Sequence, residues 1–125
     1  MGDDILDRGY LMEMRQWVGE GVFATLMTQA HDNLPPVMAD MLNAWQHGDG
    51  DTFLDLAHRM KGAASSVGCR ALSLAAHSFM HDPRPAETVS GAEIEALSEL
   101  TRASLKALRD LANHPQEIPV PAKPQ

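Results

Sequence analysis

Several things that large functional classes need are scarce or missing in this 125-residue chain. There is one cysteine, Cys69, so no intrachain disulfide can form and a reducing compartment is expected. There is no G-x-x-x-x-G-K-[ST] loop and no other glycine-rich phosphate cradle, which argues against an ATP site and against a complete kinase. No apolar run reaches about 18 residues and no signal-peptide pattern is present, so no membrane partner and a cytoplasmic location are expected. Basic residues number only ten against 17 acidic ones, a formal net charge of −7, which disfavours non-specific binding to nucleic acid. Aromatics make up only 5% and β-branched runs are scarce, while Met and Ala are plentiful, so helices are favoured over strands.

What is present is helical periodicity with punctuation. A short helix is predicted from about Asp7 to Val18, capped by Asp7, with Tyr10 or Leu11, Met14, Trp17 and Val18 on one apolar side. Gly19-Glu20-Gly21 breaks it. A longer helix follows to Gln46, with Phe23, Leu26, Met27, Ala30, Leu34, Val37, Met38, Met41, Leu42 and Trp45 at helical spacing. Pro35-Pro36 lies inside that pattern and predicts a kink or break near Asn33, because interior proline removes a backbone donor and clashes one turn back. Gly48-Asp49-Gly50-Asp51 is a turn cluster in which Asp49 or Asp51 can cap the next helix. That third helix should stop near Gly68. A fourth runs from about Arg70 to His81, burying Leu72, Ala75, Ala76 and Phe79, and Pro83-Arg84-Pro85 ends it in a loop. Ser90 with Glu93 forms a capping box for a last helix to about Ala112, with Ile94, Leu97, Leu100, Leu108 and Leu111 apolar. Short connections between four helices predict an all-α, antiparallel up-down four-helix bundle over residues 5–113, with the short extra N-terminal helix across one end. Residues 1–4 read as a frayed start, and 114–125, rich in proline, as a disordered tail.

The third helix carries the chemistry. Its run Leu56 to Gly68 reads LAHRMKGAASSVG. At about 100° per residue from Phe53, the residues Leu56, Ala57, Met60, Ala64 and Val67 fall within about 60° of one direction, a core stripe. His58 lies at about 140°, Gly62 at about 180° and Ser65 at about 120°, away from that stripe. A helical side chain meets its i+3 and i+4 neighbours. For His58 these are Lys61, a positive charge, and Gly62, an open space. Glycine inside a helix costs about 1 kcal/mol relative to alanine, and access to the imidazole is a reason to bear it. Neutral imidazole is a competent nucleophile near pH 7, since its reference pKa is about 6.5.

The run His58-Arg59-Met60-Lys61-Gly62, followed by small residues and Gly68, resembles the signature of the histidine phosphotransfer (HPt) domain of bacterial two-component phosphorelays. Ile5-Leu6-Asp7, the Gly19-Glu20 step, the long apolar segment to Trp45 and the Gly48-Asp49 turn are similar to that family as well. Met60 stands where leucine is commoner, a mild core exchange. The resemblance implies a phosphocarrier. His58 would accept a phosphoryl group from the aspartate of one response-regulator receiver domain and pass it to another, attacking through Nε2 while a local hydrogen bond holds Nδ1. Lys61 would stabilise the phosphoryl group, Gly62 would provide access and Ser65 polar support. The family needs no cofactor of its own, because the receiver supplies Mg²⁺. A hybrid sensor histidine kinase is a further partner, and the chain would act as a monomer. Leu54, at about 100° on the wheel, has no core position to fill and is expected to touch the receiver, with Arg59 and Ser65 at the rim.

Plainer readings stand beside these. A lone helical histidine is ordinarily a surface or core residue, and Lys61 alone would be a solvated side chain. Gly68 reads as a helix C-cap rather than a binding residue. A non-catalytic helical adaptor that binds a receiver or kinase is the alternative function, although it has no need of His58, Lys61 and Gly62 together. His77 and His81 are spaced to share a metal, but Ser78 stands where a zinc protease has its glutamate and no third ligand is evident, so no metal is expected. His31, His47 and His114 read as surface residues.

Overall fold

The computed structural model of the protein describes residues 5–81 and 88–113. The frayed start, the Pro83-Arg84-Pro85 loop, His114 and the proline-rich tail lie outside the described residues. Four helical elements make up the rest: α1 (Arg8–Gln46), α2 (Gly50–Ser66), α3 (Arg70–His81) and α4 (Gly91–Asn113). Each packs against its neighbour in sequence and α4 closes on α1, the arrangement of an all-α up-down bundle.

Local chemistry sets most boundaries. The Asp7 carboxylate accepts a hydrogen bond from the Tyr10 amide at 3.1 Å and starts α1. Asp49 does the same for α2 through Thr52, at 3.2 Å. Those contacts with the Thr52 hydroxyl and amide hold the Asp49 carboxyl below its ordinary range. Ser90 and Glu93 cap α4 reciprocally: the Glu93 amide donates to Ser90 Oγ at 3.1 Å, and the Ser90 amide donates to Glu93 Oε1 at 2.8 Å. α1 is two helices in effect. Gly19 has φ +87° and ψ 166°, a conformation that side chains resist, and it breaks the run where the two predicted helices meet.

The break expected near Asn33 is not there. Gly19 is the residue of α1 with non-helical dihedrals, and the helix runs through Pro35 and Pro36. Both prolines are exposed, so the His31 and Asp32 carbonyls that lose their donors lie on the outer side of the helix. Leu34, Val37, Met38 and Met41 are buried on either side and carry the apolar stripe across the prolines.

The core collects Leu11, Phe23, Leu34, Met41, Met60, Leu72 and Leu108 as its large, wholly enclosed side chains, and Phe53 meets Phe79 edge to face at 5.2 Å. Cys69 is buried among them, and burial pushes its thiol up to about 12, with a small opposing effect from the Ser104 hydroxyl. His31, expected at the surface, is half-buried, with Nδ1 3.0 Å from the Met27 carbonyl.

The first segment of α1 keeps Leu11 and Met14 on the predicted apolar side but turns Trp17 and Val18 out. Trp17 is 87% exposed, while Arg15 is buried at 6%. Arg15 is tolerated there because every nitrogen of its guanidinium makes a hydrogen bond. It donates twice to Glu20 from Nε, at 2.9 and 3.1 Å, and once from Nη2 at 2.8 Å. Nη1 donates to the Leu111 carbonyl at 3.2 Å, and the group lies 4.5 Å above the Phe23 ring. Arg15 thus ties the end of this segment to α4.

Candidate functional site

The turn between α2 and α3 builds the floor of a surface groove. Val67 caps α2, the Gly68 amide donates to the Ser65 carbonyl at 3.1 Å and the Cys69 amide to the Ala64 carbonyl at 2.8 Å, a Schellman closure. Gly68 takes φ +74°, and a Cβ there would lie 2.7 Å from Leu11. The Gly68 carbonyl accepts from the Asp7 amide at 2.9 Å, and Tyr10 Oη donates to the Ser66 carbonyl at 3.0 Å. The start of α1 is therefore fastened across the ends of α2 and α3.

The groove so formed has a volume of about 600 Å³ and is lined by His58, Lys61, Gly62 and Ser65 from α2, among others. His58, Gly62 and Ser65 are exposed and Lys61 is half-exposed. A Cβ added at Gly62 would meet nothing within 4 Å, so the space beside the imidazole is open. Ser73 Oγ donates to the Lys61 carbonyl at 3.2 Å and pins that turn of α2 to α3. His31 and His47 each place Nδ1 against the carbonyl four residues back, at 3.0 and 2.8 Å, whereas neither ring nitrogen of His58 has a partner among the described residues. The local hydrogen bond expected to hold Nδ1 is thus not made. Both nitrogens are left to solvent or a partner.

Leu54 and Arg59 do not line the groove. Arg59 is exposed, but Leu54 is half-buried and packs against the core, contrary to the expectation that it had no core position. Its place on the wheel borders the core stripe. Asp7, Tyr10, Arg70, Ser73 and Leu74 line the groove and were not foreseen. They come from α1 and α3, so tertiary closure alone brings them there. A signal existed only for Arg70, a cation just past the predicted C-cap. Ser65 is present with no side-chain partner among the described residues.

His77 and His81 stand with ring centroids 5.9 Å apart, and no group of three metal-ligating side chains occurs among the described residues.

A protein-family model described as the Hpt domain matches residues 24–113, more than two thirds of the chain. The chain belongs to the Hpt domain family. Neither the curated proteins nor the solved structures give a match. As an Hpt domain, the chain serves phosphotransfer in two-component phosphorelays, as a carrier and not as a catalyst, and it interacts with receiver domains or kinases. No described helix is long and apolar enough to cross a membrane. The match begins after the Gly19 break, so the first segment of α1 lies outside it.

Proposed function

We propose that His58 is the phosphoryl acceptor, taking the group from the aspartate of one receiver domain and delivering it to the aspartate of another. The observation that carries this is an exposed imidazole at the edge of a groove, with a cation at i+3 and open space at i+4. In the forward step an imidazole nitrogen attacks phosphorus, the P–O bond to the aspartate breaks, and the carboxylate leaves with the electron pair. The ring proton on the other nitrogen passes to solvent. The reverse step on a second receiver restores both. Phosphoryl transfer asks for in-line approach and charge stabilisation more than for protein covalent chemistry. Lys61 supplies one positive charge as a point donor, and Ser65 one hydroxyl. The receiver brings Mg²⁺ with its own acidic pocket, so the chain needs no resident cofactor and works as a cytoplasmic monomer.

The test is site mapping. The chain is incubated with a phosphorylated receiver domain and Mg²⁺, and the label is assayed for acid lability and base stability beside His58→Gln. Label on the wild type and none on the variant supports the assignment. Equal label on both moves the acceptor to another histidine. Binding without label on either would make the chain an adaptor.

A further inference from the structure

We propose that the receiver-binding surface extends from the His58 groove over the outer face of the first α1 segment, with Trp17 as its apolar anchor. The inference rests on the carrier reading of His58, and its starting point is an aromatic side chain with no structural task. Trp17 is 87% exposed, yet the segment that carries it is not loose. Asp7 and Tyr10 fasten its start to Gly68 and Ser66, and Leu11 fills the space over Gly68. Arg15 fastens its end to Glu20 and to the Leu111 carbonyl. A tryptophan presented on a rigid platform loses little freedom on binding, and buried tryptophan is among the commonest anchors of protein interfaces.

Position connects it to the groove. Tyr10 lines the groove, and Trp17 follows it seven residues on, about 20° away on the helix wheel and about 10 Å along the axis. Half-buried Met14 lies between them, and exposed Leu74 lines the groove from α3. A surface running from His58 through Leu74 and Tyr10 to Trp17 is thus continuous, and it fits within an interface of ordinary size.

Charge selects the occupant. The chain is acidic overall at −7, yet the cations Lys61 and Arg70 line the groove against the single anion Asp7. Neither cation has an ion-pair partner among the described residues. The groove end of the surface therefore suits a domain that presents an acidic, phosphorylated pocket, and a second copy of this acidic chain is disfavoured. Exposed Glu13 lies on the α1 face between Tyr10 and Trp17, where the contact would be apolar. Trp17 lies outside the matched residues 24–113.

The chain reports on the proposal by its own fluorescence, because its other tryptophan, Trp45, is half-buried and donates from Nε1 to the Val89 carbonyl at 2.7 Å. A tryptophan-free receiver domain that phosphorylates the wild-type chain is titrated into it. A blue shift with reduced acrylamide quenching is expected, and His58→Gln should show the same shift without accepting label. Trp17→Ala should raise the KM for receiver by at least about tenfold, with kcat and thermal stability close to wild type. Undiminished transfer by Trp17→Ala with no emission change in the wild type overturns the surface and leaves the carrier reading intact. An emission change together with equal label on the wild type and His58→Gln keeps the surface and sinks the carrier reading of His58. Self-association that Trp17→Ala abolishes, seen by sedimentation, overturns the choice of occupant.

Discussion

Replacing Gly62 separates the stability of α2 from the reactivity of His58. The residue is exposed, lies inside α2, and has helical rather than left-handed backbone, so alanine fits without strain. Gly62→Ala should raise stability by about 0.5 to 1 kcal/mol, the usual difference between the two in a helix interior. With roughly 100 ordered residues and about 2.1 cal/mol/K of unfolding entropy per residue, that is a rise in Tm of roughly 2 to 5 °C. Gly62→Gln should keep most of the gain, since glutamine is a good helix former. Its effect on transfer should be opposite. Helical side chains lean toward the N-terminus, so a side chain at 62 covers the turn that holds His58. Nothing occupies that space now. Alanine should slow transfer no more than about threefold, and glutamine at least about tenfold, near 1.4 kcal/mol at the transition state. Thermal melts and single-turnover transfer from a phosphorylated receiver measure both. Full transfer rates in Gly62→Gln would refute the access argument. A lowered Tm in Gly62→Ala would refute the claim that the space is open.

Gly68→Ala should destabilise by about 2 to 3 kcal/mol in urea melts, combining the left-handed φ of +74° with a Cβ 2.7 Å from Leu11. Arg15→Ala should cost roughly 2 to 3 kcal/mol through the lost Leu111 hydrogen bond and the contact with Phe23, which denaturant unfolding would show. Its partner sets a pH dependence: hydrogen bonding to Arg15 holds Glu20 below its ordinary 4.5, so this stabilisation is present above 4.5 and is lost as pH falls through the depressed value. Acid titrations of stability should lose that component in Glu20→Gln, and an unchanged profile would contradict it. Cys69 is buried with its thiol raised to about 12, so thiol reagents at pH 8 should label it only as fast as the chain unfolds. Rapid labelling of the folded protein would contradict that burial.

The parts of the fold that local chemistry decides were legible in advance. The capping box at Ser90 and Glu93, the Asp7 and Asp49 caps and the break at Gly19 each depend on a few adjacent residues, and each is where the sequence placed it. The outward face of His58 follows from the strong core stripe of α2, which leaves the imidazole no other direction. In the first α1 segment hydrophobicity places Leu11 correctly but assigns Trp17 inward and says nothing of Arg15. The fold exposes Trp17 and buries Arg15, since Glu20, Phe23 and the Leu111 carbonyl together hold the guanidinium, and one of those partners lies 96 residues away. The same distance problem hid Tyr10, which joins the groove only when α1 crosses the α2–α3 turn, whereas Arg70 and Leu74 reach it from α3 through the pairing of α2 with α3. Pro35-Pro36 was overweighted: two lost hydrogen bonds on the outer side of a helix are offset by four buried side chains on the other.

Transfer in both directions through one histidine tests the central claim most directly. The chain is phosphorylated from one receiver domain, purified, and mixed with an unphosphorylated second receiver and Mg²⁺. The account predicts that label leaves the chain and appears on the second receiver's aspartate, and that His58→Gln neither gains nor passes it. Label that passes between the receivers equally well through His58→Gln would contradict the account.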